Sequence, residues 1–169
     1  GQWVEWQESR SLDWHLLEFD DHANLQQYVK SLNHLYLREP ALWQQDSEGD
    51  GFRWIDFQDS DQSVIAFARF AEDEGEFLVA VFNFTPVVRH EYRIGVPRSG
   101  YYEEILDSDA AMFGGSNLGN FGGVRTEEQA EHGFDQSIKI TVPPLAALYF
   151  KFKPSELRKK TRTPRKKSS

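Results

Sequence analysis

The chain has 169 residues, 39% hydrophobic and 14% aromatic, with a formal net charge of −8 and no cysteine. That is enough for one domain with a core, and it excludes a disulfide scaffold and thiolate metal sites. Residues 158–169 hold 7 of the 19 Lys and Arg, leaving 12 basic against 27 acidic side chains elsewhere, a balance that repels phosphate backbones and argues against a nucleic-acid partner.

Residues 1–18 read as a loop leading into a short helix or turn. Trp3, Trp6 and Trp14 make it too aromatic for a free loop. Asp20 and Asp21 offer capping oxygens and favourable charge at a helix start. From His22, the apolar residues Leu25, Tyr28, Val29, Leu32, Leu35 and Tyr36 recur at the spacing of an amphipathic helix. Pro40 stops it, and Ala41, Leu42 and Trp43 are expected to pack back on it. A polar, glycine-bearing linker over residues 46–51 marks the main boundary.

Beyond the linker the period changes to that of strands. Residues 52–56 alternate Phe52, Trp54 and Asp56 against Arg53 and Ile55. Residues 62–84 hold two apolar runs around an acidic turn at 72–76, the pattern of an antiparallel hairpin. Its second run is apolar nearly throughout, which predicts a central strand buried on both faces. Residues 91–96, 101–106, 137–142 and 145–153 complete a set of about seven strands, the pattern of an antiparallel β-sandwich with Greek-key connections. Residues 107–123, rich in glycine, form a long loop that is expected to be compact or functional.

Chemical motifs are sparse. Asp107 and Asp109 lack the ligand series of a calcium loop, and the glycines lack the Lys-Ser/Thr ending of a phosphate loop. His15, His22, His34, His90 and His132 are scattered, which argues against zinc, and no nucleophile elbow is present. No stretch reaches the length of a membrane span, and no signal-peptide pattern opens the chain. The absence of cysteine fits a reducing cytoplasm.

Several words, in order, carry a resemblance. They are Gly1-Gln2-Trp3-Val4-Glu5-Trp6, Arg10-Ser11-Leu12-Asp13-Trp14-His15-Leu16-Leu17, Arg38-Glu39-Pro40-Ala41-Leu42 and Gly51-Phe52-Arg53-Trp54-Ile55. Asn83-Phe84-Thr85-Pro86-Val87, Gly114-Gly115-Ser116-Asn117-Leu118-Gly119-Asn120 and Thr141-Val142-Pro143-Pro144-Leu145-Ala146 continue the series. Together they resemble the C-terminal region of 1,4-α-glucan (glycogen) branching enzymes of the α-amylase superfamily, over nearly all of residues 1–152. The basic tail lies outside the resemblance.

The resemblance implies a parent enzyme with a (β/α)8 barrel. It cuts α-1,4 glucan chains and re-attaches them as α-1,6 branches by a retaining mechanism, without metal or organic cofactor. Residues 1–45 then correspond to the last loop and helix of the barrel, residues 46–153 to the C-terminal all-β sandwich, and residues 154–169 to a disordered basic tail. The family's catalytic carboxylates are expected upstream of Gly1, so the fragment alone is expected to be inactive, with the barrel as its missing partner and α-glucan as the parent's substrate.

In that context Trp3, Trp6 and Trp14 are candidate sugar-stacking platforms, because an aromatic face matches the CH face of a glucose ring. The alternative is that they pin the loop to the barrel. Glu5 and Asp13 are candidates for hydrogen bonds to sugar hydroxyls, or for bracing the loop. Tyr101, Tyr102 and Phe113 are candidate exposed aromatics for a remote glucan site, against rim or core packing. Two other readings keep the fold: a free-standing carbohydrate-binding β-module, and the C-terminal part of another α-amylase relative.

Overall fold

The computed structural model describes residues 5–154. Trp3 and the tail beyond Pro154 lie outside the described residues. The leader runs without regular structure to a 3-10 turn at Trp14–Glu18, and then helix α1 spans Asp20–Arg38. Phe19 occupies the capping position, so Asp20 and Asp21 do not cap the helix. They sit in its first turn, where their negative charge favourably meets the positive end of the helix dipole. Glu39 leaves helical geometry at φ −105° and ψ 101°, as a residue before proline must.

Eight strands follow: β1 (Phe52–Asp56), β2 (Val64–Phe70), β3 (Phe77–Asn83), β4 (Arg89–Val96), β5 (Gly100–Asp107), β6 (Gly123–Arg125), β7 (Gln136–Val142) and β8 (Ala147–Pro154). All pairings are antiparallel among the described residues. The layers are unequal. A six-stranded sheet runs in the order β1-β2-β3-β8-β5-β6, and β4 and β7 form a two-stranded sheet. The expected hairpin is β2–β3, paired from Val64↔Asn83 to Phe70↔Phe77. β3 lies inside the large sheet, buried on both faces as its composition requires. β6, only three residues long, was not foreseen.

The core lies between the sheets. Val79, Val81, Ile94, Ile138, Leu148 and Phe150 meet there with almost no exposure. Tyr102 belongs to this core and is fully buried, so it is not the exposed aromatic expected from its neighbourhood. Its hydroxyl donates to the Arg98 carbonyl at 2.8 Å, and burial pushes the phenol pKa up. Tyr102→Phe strands that carbonyl, and a loss of about 1 kcal/mol in urea unfolding is expected.

Helix α1 lies on the outer side of the large sheet, where its residues line hollows with Phe82 of β3 and with Ile105 and Leu106 of β5. The expected stripe divides in two. Leu35 is buried and Tyr28 packs edge-on against Phe113, with ring centroids 5.3 Å apart, whereas Leu25, Val29 and Tyr36 stay exposed. The helix packs chiefly against the turns at Trp14–Glu18, Ala111–Phe113 and Pro40–Leu42, so only part of its apolar arc finds cover. Its exit is tied down by the buried Glu39 carboxylate, which accepts from Lys151 Nζ on β8 at 2.6 Å. Ala41 and Leu42 pack on Leu78 of β3 and on Ala71 just past β2, and Trp43 is exposed.

Candidate functional site

The leader residues singled out by sequence fall into two shallow hollows. Glu5 and Trp6 line one with Gln7, Arg10 and Asp13. Trp14 lines a second, of about 390 Å³, with Leu16, His22, Leu25 and Val29. Trp6 is 71% exposed and Trp14 58% exposed, so neither is a core aromatic within this chain. Glu5 and Asp13 sit on the same loop, Glu5 exposed and Asp13 half-buried.

The larger aromatic feature is elsewhere. On the outer face of the large sheet, Phe67 and Phe82 stack at 5.7 Å and Phe82 and Phe84 at 6.3 Å. Trp54 meets Phe67 edge-on at 5.9 Å, and Phe52 lies 5.1 Å from Phe67. Phe57 adds a ring 5.4 Å from Trp54. This face continues into a cleft of about 460 Å³ under the start of α1, lined by Asp21, Asn24, Leu25, Tyr28, Phe82 and Phe84, among others. Phe113 borders that cleft, and Tyr101 is half-buried with its hydroxyl donating to the Gly122 carbonyl at 2.8 Å. The sequence signal for the aromatic face was the spacing of two at Phe52/Trp54 and Phe82/Phe84. Nothing in that spacing says which face is covered.

A register shift between Trp54 and Asp56 turns the end of β1 inward. Asp56 therefore leaves the face of Phe52 and Trp54 and meets His132, Nε2 to carboxylate, at 3.4 Å. His132 Nδ1 accepts the Gly95 N–H at 3.2 Å, which places the neutral ring's proton on Nε2. The Tyr92 hydroxyl donates to Asp59 at 2.7 Å, and burial together with that carboxylate drives its pKa up. A retaining glycosyl transfer needs two carboxyl groups on either side of a sugar. Asp56 and Asp59 are instead occupied in holding Tyr92 and His132.

The glycine-rich loop is a tightly bonded unit. Asp109 accepts from the Ser116 N–H and hydroxyl and from the Leu118 N–H. Asn120 donates to Glu104 at 2.7 Å and exchanges bonds with the Thr141 backbone, pinning the loop between β5 and β7. At Gly123, with φ 137°, an added Cβ would strike the Tyr102 carbonyl. Asp107 stands at the base of the loop. Burial, chiefly, with the nearby charges of Glu104 and Asp109, raises its pKa to about 6 from 3.8, against the lowering effect of the Asp109 N–H.

The folded state thus holds the Asp107 proton more tightly than the unfolded chain does. Asp107 therefore makes stability fall as pH rises from about 4 to 6. Asp107→Asn keeps an oxygen for the Asp109 N–H, bonded at 2.8 Å. It is expected to melt higher than wild type at pH 7, with the gap shrinking towards pH 4. Parallel melts at four pH values check this, and an unchanged gap contradicts it.

Comparison with known proteins agrees with this architecture. The family model described as the alpha amylase, C-terminal all-beta domain matches residues 54–153. The chain is 48% identical over 156 residues to a 1,4-alpha-glucan branching enzyme GlgB of Synechococcus sp. (strain JA-2-3B'a(2-13)), covering 92% of this chain and 20% of the relative. It is 48% identical over 151 residues to that of Cellvibrio japonicus (strain Ueda107), with 89% and 20% covered. It is 49% identical over 149 residues to GlgB 2 of Xanthomonas campestris pv. campestris (strain 8004), with 88% and 20% covered. The chain spans about a fifth of the length of these relatives. Among the described residues no helix is long and apolar enough to cross a membrane. An all-antiparallel sandwich matched by that model over most of its strands places the chain in the family of α-amylase C-terminal all-β domains.

Proposed function

We propose that this chain is the C-terminal part of a cytoplasmic 1,4-alpha-glucan branching enzyme, which cleaves α-1,4 glucan and rejoins it as α-1,6 branches. The observation that carries the reading is co-linearity: about nine-tenths of the chain aligns at 47–49% identity with a fifth of enzymes bearing that name. In this reading the retaining carboxylates lie N-terminal to Gly1, residues 1–45 complete the barrel, residues 46–153 form the sandwich that supports it, and residues 154–169 are a tail. In the same reading Trp3, Glu5, Trp6 and Trp14 contact glucan beside the active site. The exposure of Trp6 and Trp14 supports that role, because a ring free in this chain is available to a sugar.

The test is an iodine-stain shift and a debranching profile on amylose, with the longer protein and this chain run side by side. Branching by the longer protein and none by this chain is expected. Turnover by this chain alone, or a longer protein that fails to branch, overturns the reading. In the longer protein Trp6→Ala is expected to lower kcat/KM about tenfold, the scale of a lost stacking contact of about 1.4 kcal/mol. An unchanged kcat/KM removes Trp6 from the site.

A further inference from the structure

We infer that His132 is an acid-operated latch. Neutral, its ring bolts the turn at 131–134 to Gly95 of β4. Protonated, it releases Gly95 and is held by Asp56 and Glu131 alone. The inference concerns contacts within this chain and stands apart from the activity reading.

The turn that carries the ring is closed without it. Glu131 and Phe134 exchange backbone bonds at 3.0 and 2.9 Å. Between them His132, at φ 48°, occupies the left-handed region that a side chain rarely adopts, and Gly133 follows at φ 78°. Phe134 packs its ring into the core, with the Arg53 guanidinium 4.4 Å from the ring centroid. Gly95 lies directly against the turn, because a Cβ there would strike the Glu131 carbonyl. The turn is thus held at both ends independently of His132, and a change of bonding at the ring is a local event.

The two ring nitrogens meet opposite demands. The Gly95 N–H can only donate, so Nδ1, at 3.2 Å, must keep a lone pair for it. Nε2 faces carboxylates instead, Asp56 at 3.4 Å and Glu131 at 3.9 Å. The neutral ring with its proton on Nε2 satisfies both sides. The imidazolium carries a proton on each nitrogen, so Nδ1 turns from acceptor to donor and two N–H groups collide at Gly95. The carboxylates gain attraction from the same proton. One protonation therefore breaks one contact and strengthens the other. Histidine is the side chain whose charge ordinarily changes between about pH 5 and 8.

The ring borders a polar hollow of about 530 Å³ between the end of β1 and β4. Most charged groups there are committed elsewhere. Asp59 accepts from the Tyr92 hydroxyl at 2.7 Å, and the raised pKa of Tyr92 keeps it a donor. Glu91 pairs with Lys139 at 3.4 Å, and Arg93 with Glu127 at 2.6 Å. One Asp56 oxygen accepts the Gln58 N–H at 3.0 Å, which leaves the other to His132. His90, exposed on β4, is the second histidine of the hollow.

The test is hydrogen–deuterium exchange on the longer protein, read by mass spectrometry with fragmentation that resolves the Gly95 amide. Slow uptake at the imidazole Cε1 reports the charge of His132. From about pH 8 to about pH 5, Gly95 protection, corrected for intrinsic exchange, is expected to fall along the His132 titration. The fall is at least about tenfold, the scale of one lost hydrogen bond, while Val79 to Val81 keep their protection. The sign is informative, because Asp107 makes the whole fold firmer towards acid, so a global effect would raise protection at Gly95. His132→Gln keeps an acceptor and a donor without a titrating charge, and its Gly95 amide is expected to stay protected throughout. His90→Gln is expected to leave the fall unchanged. Steady Gly95 protection while His132 gains its charge overturns the inference, as does a ring that stays neutral down to about pH 5. A fall that persists in His132→Gln, or vanishes in His90→Gln, overturns it too. The first two outcomes need only the wild-type protein, so they decide the matter even if a variant fails to fold.

Discussion

Asn83→Asp is expected to cost about 4 kcal/mol at pH 7, the range for an unpaired buried charge. Asn83 is 2% exposed, at the end of β3. Its amide donates to the Val87 carbonyl at 2.8 Å and the Pro143 carbonyl at 2.9 Å. Its oxygen accepts the Thr85 N–H at 3.0 Å and the Thr85 hydroxyl at 2.8 Å. Four bonds thus join the β3–β4 turn to the β7–β8 turn through one side chain. Aspartate has the same shape but no proton on either oxygen at pH 7, so it faces two carbonyls as a carboxylate. Protonation restores one donor, and the deficit must shrink as pH falls towards 4. Urea unfolding at the two pH values reads both effects. A deficit below 1 kcal/mol, or one independent of pH, contradicts this account.

Phe77→Ala is expected to cost a similar amount, about 4 kcal/mol, through loss of transfer energy and the cavity left behind. Phe77 is 1% exposed. Its ring stacks on Phe152 at 4.7 Å and meets Tyr102 at 6.1 Å and Phe70 at 5.3 Å. These side chains come from four strands, so the site cannot collapse by moving one of them. Phe84→Ala is the comparison. At 60% exposure it is expected to change the stability of this chain by no more than about 0.5 kcal/mol. The pair separates aromatics that hold the sandwich from those that its outer face presents. Equal losses for the two would erase that division.

The sequence was legible where composition settles both faces of an element. β3 could be placed in mid-sheet because six consecutive positions, Phe77 to Phe82, offer no polar side. It was ambiguous where a period of two left the phase open. Tyr101 and Tyr102 are adjacent, and only the packing of β5 on β8 decides that Tyr102 goes in. The shift after Trp54 that turns Asp56 inward leaves no mark on composition. Asn83 stood out as the lone polar residue of its run, but one carbonyl that it serves, on Pro143, is 60 positions away. The Leu25-to-Tyr36 pattern correctly announced a helix, yet a single arc cannot say that two different surfaces share it. For the leader, sequence supplied the tryptophans and the structure supplies their exposure.

The margins of the large sheet have a bearing on how the isolated polypeptide self-associates. One border is β1, five residues long and distorted at Trp54/Asp56, and the other is β6, three residues long. Neither offers the long, flat ladder of free amides and carbonyls that recruits further strands. Strand addition at these two margins is therefore disfavoured, and any self-association on this side of the molecule would proceed through its greasy rings.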